Sequence, residues 1–354
     1  MSSVFGRKLK VSIFGQSHGE AIGVVIDGFP AGFAVDREAL RAFMARRAPG
    51  QSDFSTPRNE ADDVEFLSGV VNDVTCGAPI CAVIRNTNTR SGDYRELVEQ
   101  PRPSHADYAA DIRYGGAEDI RGGGHFSGRL TAALCVAGGL CLQYLAKRGI
   151  AVGAHMASVG GVQDARFDSV NVTADDFPTG LFPVLDEAAG EAMRSAIAAA
   201  RAEGDSVGGV VECAVVGLPV GVGDPLFDGL ENRLSAAVFG IPAVRGIEFG
   251  NGFEAADLRG SENNDCYYLD GDAVRTYTNN HGGVLGGIST GMPLLFRVAI
   301  KPTPSIAKEQ MTLNRRTGQV EPLTIRGRHD PCIVPRAVPC VEAACAIVLC
   351  DYLI

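Results

Sequence analysis

RGGGHFSGRLTAALCVAGGLCLQYLAK, residues Arg121–Lys147, joins a basic glycine-rich loop directly to a long apolar segment. From Ser127 to Lys147 the run has the length and small-residue content of a buried helix, around which a core can be built. Gly122, Gly123 and Gly124 can take φ > 0 and bring the backbone close to a ligand. The first turn of the helix leaves backbone N–H groups unpaired at the positive end of its dipole. With Arg121 and Arg129 beside it, that junction suits a phosphate or carboxylate. The competing reading is a tight surface turn with a solvated Arg129, since no G-x-x-x-x-G-K-[ST] pattern accompanies the glycines.

Upstream, strands are expected around Lys10–Phe14 and Gly23–Gly28, with GQSHG (Gly15–Gly19) connecting them. Asp36 can cap a helix over Arg37–Arg47, which Ala48-Pro49-Gly50 ends. Arg46 and Arg47 then either complement the helix dipole or reach an anion from the following loop. Strand pieces follow at Val64–Val71 and Ile80–Ile84, and Arg102–Tyr108 (RPSHADY) presents His105 at a turn.

Downstream, a helix is expected over Asp186–Glu203, closed by Gly204, then a strand at Val207–Val216 and a helix over Pro225–Phe239. Asn251–Asp265 reads as irregular, and a second glycine-rich run spans Asn279–Gly291. The strand Leu294–Ile300 delivers Lys301-Pro302-Thr303-Pro304-Ser305, and a charged loop carries Arg315, Arg316, Arg326, Arg328, His329 and Asp330. Pro339 is placed in the first turn of a closing helix that runs to about Leu353. There is no low-complexity linker and no clear repeat. One α+β domain over residues 1–354 is therefore expected, and the two glycine-rich segments permit pseudo-symmetric halves.

With 45% hydrophobic residues in 354, the chain can bury a large core. A net charge of −10 argues against nucleic-acid and anionic-membrane partners. Within that acidic chain the arginines gather in loops, as an enzyme of small anions requires. None of the ten cysteines forms a C-x-x-C pair, and Cys135, Cys141, Cys340, Cys345 and Cys350 lie in apolar runs, as reduced, buried thiols do. The N-terminus has no cleavable apolar core, and no uninterrupted apolar run of about 18 residues occurs, so a cytoplasmic location is expected.

Five of the six histidines (His18, His105, His125, His155, His281 and His329) fall in polar loops, which favours proton transfer near neutral pH. Their spacing contains no H-x-x-x-H or H-E-x-x-H, so no metal is expected. GQSHG also lacks the helix that a nucleophile elbow requires. These residues together describe an enzyme of phosphorylated, carboxylated small molecules.

The loops in order resemble those of the chorismate synthase family. The resemblance rests on FGQSHG (Phe14–Gly19), IDGFPAG (Ile26–Gly32), RRAPGQS (Arg46–Ser52), RPSHADY, YGGAEDIRGGG (Tyr114–Gly124), GSENND (Gly260–Asp265), NNHGGVLGGISTGMP (Asn279–Pro293), KPTPSI (Lys301–Ile306) and GRHDPC (Gly327–Cys332). It implies a β-α-β sandwich, usually a homotetramer, and 1,4-anti elimination of phosphate from 5-enolpyruvylshikimate 3-phosphate to chorismate with reduced FMN. NADPH is a candidate reductant.

The resemblance further implies His18 as the acid near the leaving phosphate and His105 as the group that protonates the reduced flavin. Asp330, with Ser17 or Ser127, would assist proton removal at flavin N5 and so at substrate C6. Arg47, Arg129 and Arg336 would clamp substrate anions. FMN would be held by His125, Phe126, Ser127, Asn264, Gly286, Lys301, Pro302, Thr303, Pro304, Ser305 and Arg328. Where the family commonly reads Arg-Ser-Ser-Ala-Arg-Glu-Thr after its GGG run, this chain has His125-Phe126-Ser127-Gly128-Arg129-Leu130-Thr131, making His125 the candidate replacement for an arginine. Gln16 replaces a usual Glu, and Asp53 stands where some members carry arginine. The rival readings are a flavin-dependent oxidoreductase and a non-catalytic FMN or sugar-phosphate binding protein.

Overall fold

In the computed structural model, which describes residues 3–50, 62–87, 97, 99–325 and 330–354, two five-stranded antiparallel sheets enclose a layer of helices. The first sheet runs Val4–Phe5, Lys10–Gly15, Ala21–Asp27, Ile80–Arg85, Glu65–Ser68 in spatial order. The second runs Val244–Phe249, Leu294–Ile300, Gly209–Val216, Ala151–Val159, Val162–Gln163. Each half closes on a long helix, Thr131–Ala146 after the first sheet and Val334–Leu353 after the second. The central helix lies against the first sheet, the closing helix against the second, and the two pack on each other. This is the α+β sandwich with pseudo-symmetric halves that the sequence implied.

The central helix is buried because its residues are small. A methyl group at Gly138 would stand 2.2 Å from the Ala343 Cβ, so the closing helix can approach this near only because position 138 has no side chain. Gly128–Ala146 would be long and apolar enough to cross a membrane, but 78% of that window is buried inside the protein. It is a core helix.

The closing helix starts at Val334, earlier than expected, with Pro335 in its first turn and Pro339 inside it. Pro335 occupies the place where a missing N–H costs nothing; Pro339 does forfeit one helical bond, and near-complete burial of the helix on both sides outweighs that loss. The charged loop after Lys301 also contains a hairpin, Gln310–Asn314 with Gln319–Leu323. Its turn is set by the Asn314 side chain, which accepts from the Arg316 and Thr317 amides at 3.0 and 3.3 Å. Asp107–Tyr114 is helical directly after His105, and part of the irregular Asn251–Asp265 segment forms helical turns. Val64–Val71 is divided at Gly69 into Glu65–Ser68 and Val70–Val71. The Pro225–Phe239 helix is regular only over Leu230–Val238.

Candidate active site

Arg46 and Arg47 leave the end of the Arg37–Arg47 helix in opposite directions. Arg46 forks onto buried Glu342 at 2.7 and 2.9 Å, and Glu342 also accepts from the Ala154 amide at 3.0 Å. This pins the helix to both the closing helix and the second sheet. Arg47 turns into a cavity, where its guanidinium reaches Thr131 Oγ1 (3.1 Å), Asp62 Oδ2 (2.8 Å) and the Gly128 carbonyl (3.0 Å).

The other Asp62 oxygen accepts from Arg129, whose Nε donates to Asn86 Oδ1 at 3.1 Å. Asp62 is buried, with φ 53°, and holds both arginines at one wall. Burial alone would raise its pKa; Arg47 and Arg129 outweigh that and hold the carboxyl below its ordinary range. Arg336 completes this wall, donating to the Arg47 carbonyl (3.0 Å) and to Asp330 Oδ2 (2.7 Å).

Across the cavity, Arg102 donates to both oxygens of Asp107 at 2.7 Å and to Ser305 Oγ at 3.1 Å. His105 Nδ1 lies 2.6 Å from Asp107 Oδ1. An ionised carboxylate has only lone pairs to offer, so this nitrogen carries a proton and Nε2 is left for other work. Asp107 is ionised: burial is outweighed by hydrogen bonds from Arg102 and His105, which hold it well below the usual carboxylate range. Lys301 Nζ donates to the Ser104 carbonyl, and its pKa is lowered by burial and by Arg245.

The cavity between these walls has a volume of about 580 Å³ and is lined by Ser17, Arg47, Arg102, His105, His125, Phe126, Ser127, Arg129, Lys301, Thr303, Pro304, Ser305, Asp330 and Arg336, among others. Among the described residues its cations, Arg47, Arg102, Arg129, Lys301 and Arg336, outnumber the carboxylates Asp62, Asp107 and Asp330 that serve them. The surplus favours an anionic ligand. Thr303 Oγ1 is buried without a hydrogen bond, a polar atom suited to a bound group.

The three loop glycines have φ of 60°, 82° and 54°; Gly122 and Gly123 approach the chain's own histidines, and Gly124 approaches the Asp119 carbonyl. A methyl at Gly122 would stand 2.3 Å from His18 Cε1 and 2.7 Å from Ser17 Oγ, and one at Gly123 would stand 3.2 Å from His105 Nε2. His18 sits beside Ser17, with Nδ1 3.3 Å from Ser17 Oγ, and it is Ser17 that reaches the cavity. Gly122→Ala is therefore expected to cost about 1–3 kcal/mol of stability and to displace His18. Denaturation and anion titration would check this, and a variant as stable as wild type would contradict it.

Other expected residues are placed differently. His125 Nδ1 bonds the Gly15 carbonyl at 2.8 Å and Nε2 bonds Ser3 Oγ at 2.7 Å, so both ring nitrogens are engaged within the chain. His125 is a buttress of the loop and does not replace the arginine as an anion donor. His125→Ala should lose about 1–3 kcal/mol of stability and keep its affinity for inorganic phosphate in a calorimetric titration; a weakened phosphate site would contradict this assignment.

Arg121 pairs with Asp119 on the surface. Ser127 caps the turn before the central helix, accepting from the Arg129 amide at 3.3 Å. Pro302, Asn264 and Gly286 do not line the cavity: Asn264 ends the turn Gly260–Asn263, and Gly286 lies in the tight turn after Val284–Leu285. Arg328, His329 and Asp53 lie outside the described residues. His155 is on a strand, buried between Asp164 (3.0 Å) and Glu212 (2.9 Å), and His281 lies 3.0 Å from Asp265.

The chorismate synthase family model matches residues 9–354. The chain belongs to the chorismate synthase family. It is 47% identical to the chorismate synthase of Dehalococcoides mccartyi over 351 residues, covering 99% of this chain and 96% of that one. It is 46% identical to that of Pyrococcus abyssi over 349 residues, with 99% and 97% covered. A crystal structure of chorismate synthase superposes with a TM-score of 0.75 at 28% identity, covering 98% of this chain and 92% of that one. As a chorismate synthase, the chain is a carbon–oxygen lyase.

Three of the residues that organise the site were not singled out from sequence. Asp107 lies inside RPSHADY, two positions after His105, and that spacing was a usable signal. Asp62 and Asn86 carried none, because only the fold brings them to Arg47 and Arg129.

Proposed function

We propose that this chain catalyses 1,4-anti elimination of phosphate from 5-enolpyruvylshikimate 3-phosphate to give chorismate, with reduced FMN held in the same cavity. The observation that carries this reading is the pairing of one cation-rich cavity with two histidines, His18 and His105, each pressed against the glycine loop. A substrate with two carboxylates and a phosphate matches that surplus of guanidinium groups.

Arg47, Arg129 and Arg336 bind and orient the anions, and Asp62 offsets the repulsion between the first two and holds them side by side. His18 delivers a proton toward the leaving phosphate by way of Ser17 Oγ, and a cavity volume in the range of small-molecule sites keeps water out once filled. His105, fixed by Asp107 through Nδ1, presents Nε2 on the opposite wall for proton transfer. Asp330, beside Arg336, is the carboxylate available to accept one.

Lys301, Thr303, Pro304, Ser305 and the His125–Ser127 loop suit the flavin, and the unpartnered Thr303 hydroxyl fits a polar atom of it. When bound, reduced FMN supplies the electron-rich centre that no side chain here can offer. On the same footing the chain acts as one domain in a cytoplasmic homotetramer. With no G-x-G-x-x-G fingerprint after a strand, NADPH serving as reductant would have to share the flavin cavity.

The test is an anaerobic reaction with substrate in large excess over photoreduced FMN. The lyase reading expects phosphate far in excess of reductant consumed. One reductant oxidised per phosphate would establish the oxidoreductase instead, and flavin binding without turnover the binding protein.

A further inference from the structure

The central and closing helices carry facing thiols. Cys135 is fully buried, and its Sγ lies 3.9 Å from Cys340 Sγ, which in turn lies 3.2 Å from the Arg336 carbonyl. Cys340 lines the cavity floor, beside Arg47, Thr131 and Arg336. One turn further along both helices, Gly138 and Ala343 set the closest approach of the pair. The other thiols lack one or other of these features. Cys141 with Cys350, and Cys213 with Cys345, are buried away from the cavity, and Cys76 and Cys266 are exposed.

We propose that Cys135 and Cys340 are a redox-modifiable dithiol at the floor of the anion cavity, converted by peroxide to a disulfide that weakens anion binding by the two arginines above it. The Cys340 sulfur attacks one peroxide oxygen, an S–O bond forms, the O–O bond breaks and hydroxide leaves. Cys135 gives its proton to that hydroxide and attacks the sulfenic sulfur; the S–S bond forms and the S–O bond breaks with release of a second hydroxide, which takes up the proton lost from Cys340. Two thiols and one hydrogen peroxide thus become one disulfide and two waters.

Cys340 is the attacking partner because it alone reaches the cavity. Its pKa is lowered as well: the hydrogen bond from Cys135 opposes burial, and Arg47, Thr131 and Arg336 add to it, bringing the thiol to about 7. Closing the gap to a bonded distance of about 2.05 Å draws Cys340 toward Cys135 and removes its bond to the Arg336 carbonyl. Arg336 Nε in turn donates to the Arg47 carbonyl, so a shift of the helical turn from Arg336 to Cys340 carries over to the backbone that positions Arg47. This inference concerns the cavity's anion site and holds whatever reaction the cavity performs.

The experiment treats the full chain with hydrogen peroxide and maps thiols by mass spectrometry of non-reducing digests, with inorganic phosphate affinity measured before oxidation, after it, and after dithiothreitol. The expected result is a Cys135–Cys340 cross-linked peptide, a rise of at least about fivefold in the phosphate dissociation constant, and recovery on reduction. In Cys135→Ser, Cys340 should instead be trapped as a dimedone-labelled sulfenic acid. Melting curves of Cys135→Ser and Cys135→Ala should match wild type closely enough to show a folded chain, and in both variants peroxide should leave no Cys135–Cys340 cross-link and no dithiothreitol-reversible loss of phosphate affinity. Oxidation confined to Cys76 and Cys266, or a Cys135–Cys340 disulfide with unchanged phosphate affinity, would overturn the proposal.

Discussion

Replacing His105 with alanine is expected to lower turnover by about 10²–10⁴-fold with little change in stability. The reason lies in how the side chain is held. Asp107 accepts a hydrogen bond from Nδ1 at 2.6 Å and is itself held by Arg102, so the imidazole has one orientation and turns Nε2 toward Gly123. Alanine removes that nitrogen and leaves Asp107 still paired with Arg102, which is why the fold should survive. Asp107→Asn should give an intermediate loss, because an amide oxygen can still accept from Nδ1 but brings no charge. Steady-state rates and melting curves of the two variants decide the matter. A His105→Ala enzyme within a few-fold of wild type would mean that His105 is structural.

The largest effect on stability is expected from Asp62→Asn, at about 3–5 kcal/mol near neutral pH. Two buried guanidiniums, Arg47 and Arg129, share this one carboxylate, and an amide leaves both charges uncompensated. The pH dependence follows from the depressed pKa of Asp62. Its contribution is fully present above the ordinary carboxylate range and is lost as pH falls through the lower, folded-state value. The gap between wild type and variant should therefore be constant from neutral pH down to about 4 and narrow below it. Denaturation curves across that range test this; a gap that widened in acid would show that Asp62 is not ionised in the folded protein.

Much of this architecture was legible because it depends on local pattern. The helix Arg37–Arg47 was marked by Asp36 at one end and Pro49-Gly50 at the other, and its bounds were found as expected. Leu294–Ile300 is bounded by turn residues and likewise matches. The central helix was visible through its uninterrupted small apolar residues. What local pattern could not show was which side chains meet. Arg46 and Arg47 are neighbours with identical chemistry, yet one is structural and one faces the cavity, because Glu342 lies nearly three hundred residues away in sequence. His125 was read as an anion donor on its position after the glycines, but Ser3 and the Gly15 carbonyl had already taken both ring nitrogens. Pro339 was misplaced because Pro335 satisfies the same first-turn rule.

Elimination from 5-enolpyruvylshikimate 3-phosphate is the reaction proposed for this cavity. The most direct measurement is anaerobic, following phosphate release and chorismate absorbance together in wild type and Arg129→Ala with photoreduced FMN. Phosphate and chorismate appearing one to one in wild type, with both reduced in the same proportion in the variant, is the predicted result. Phosphate released without chorismate, or neither product despite bound flavin and substrate, would contradict it.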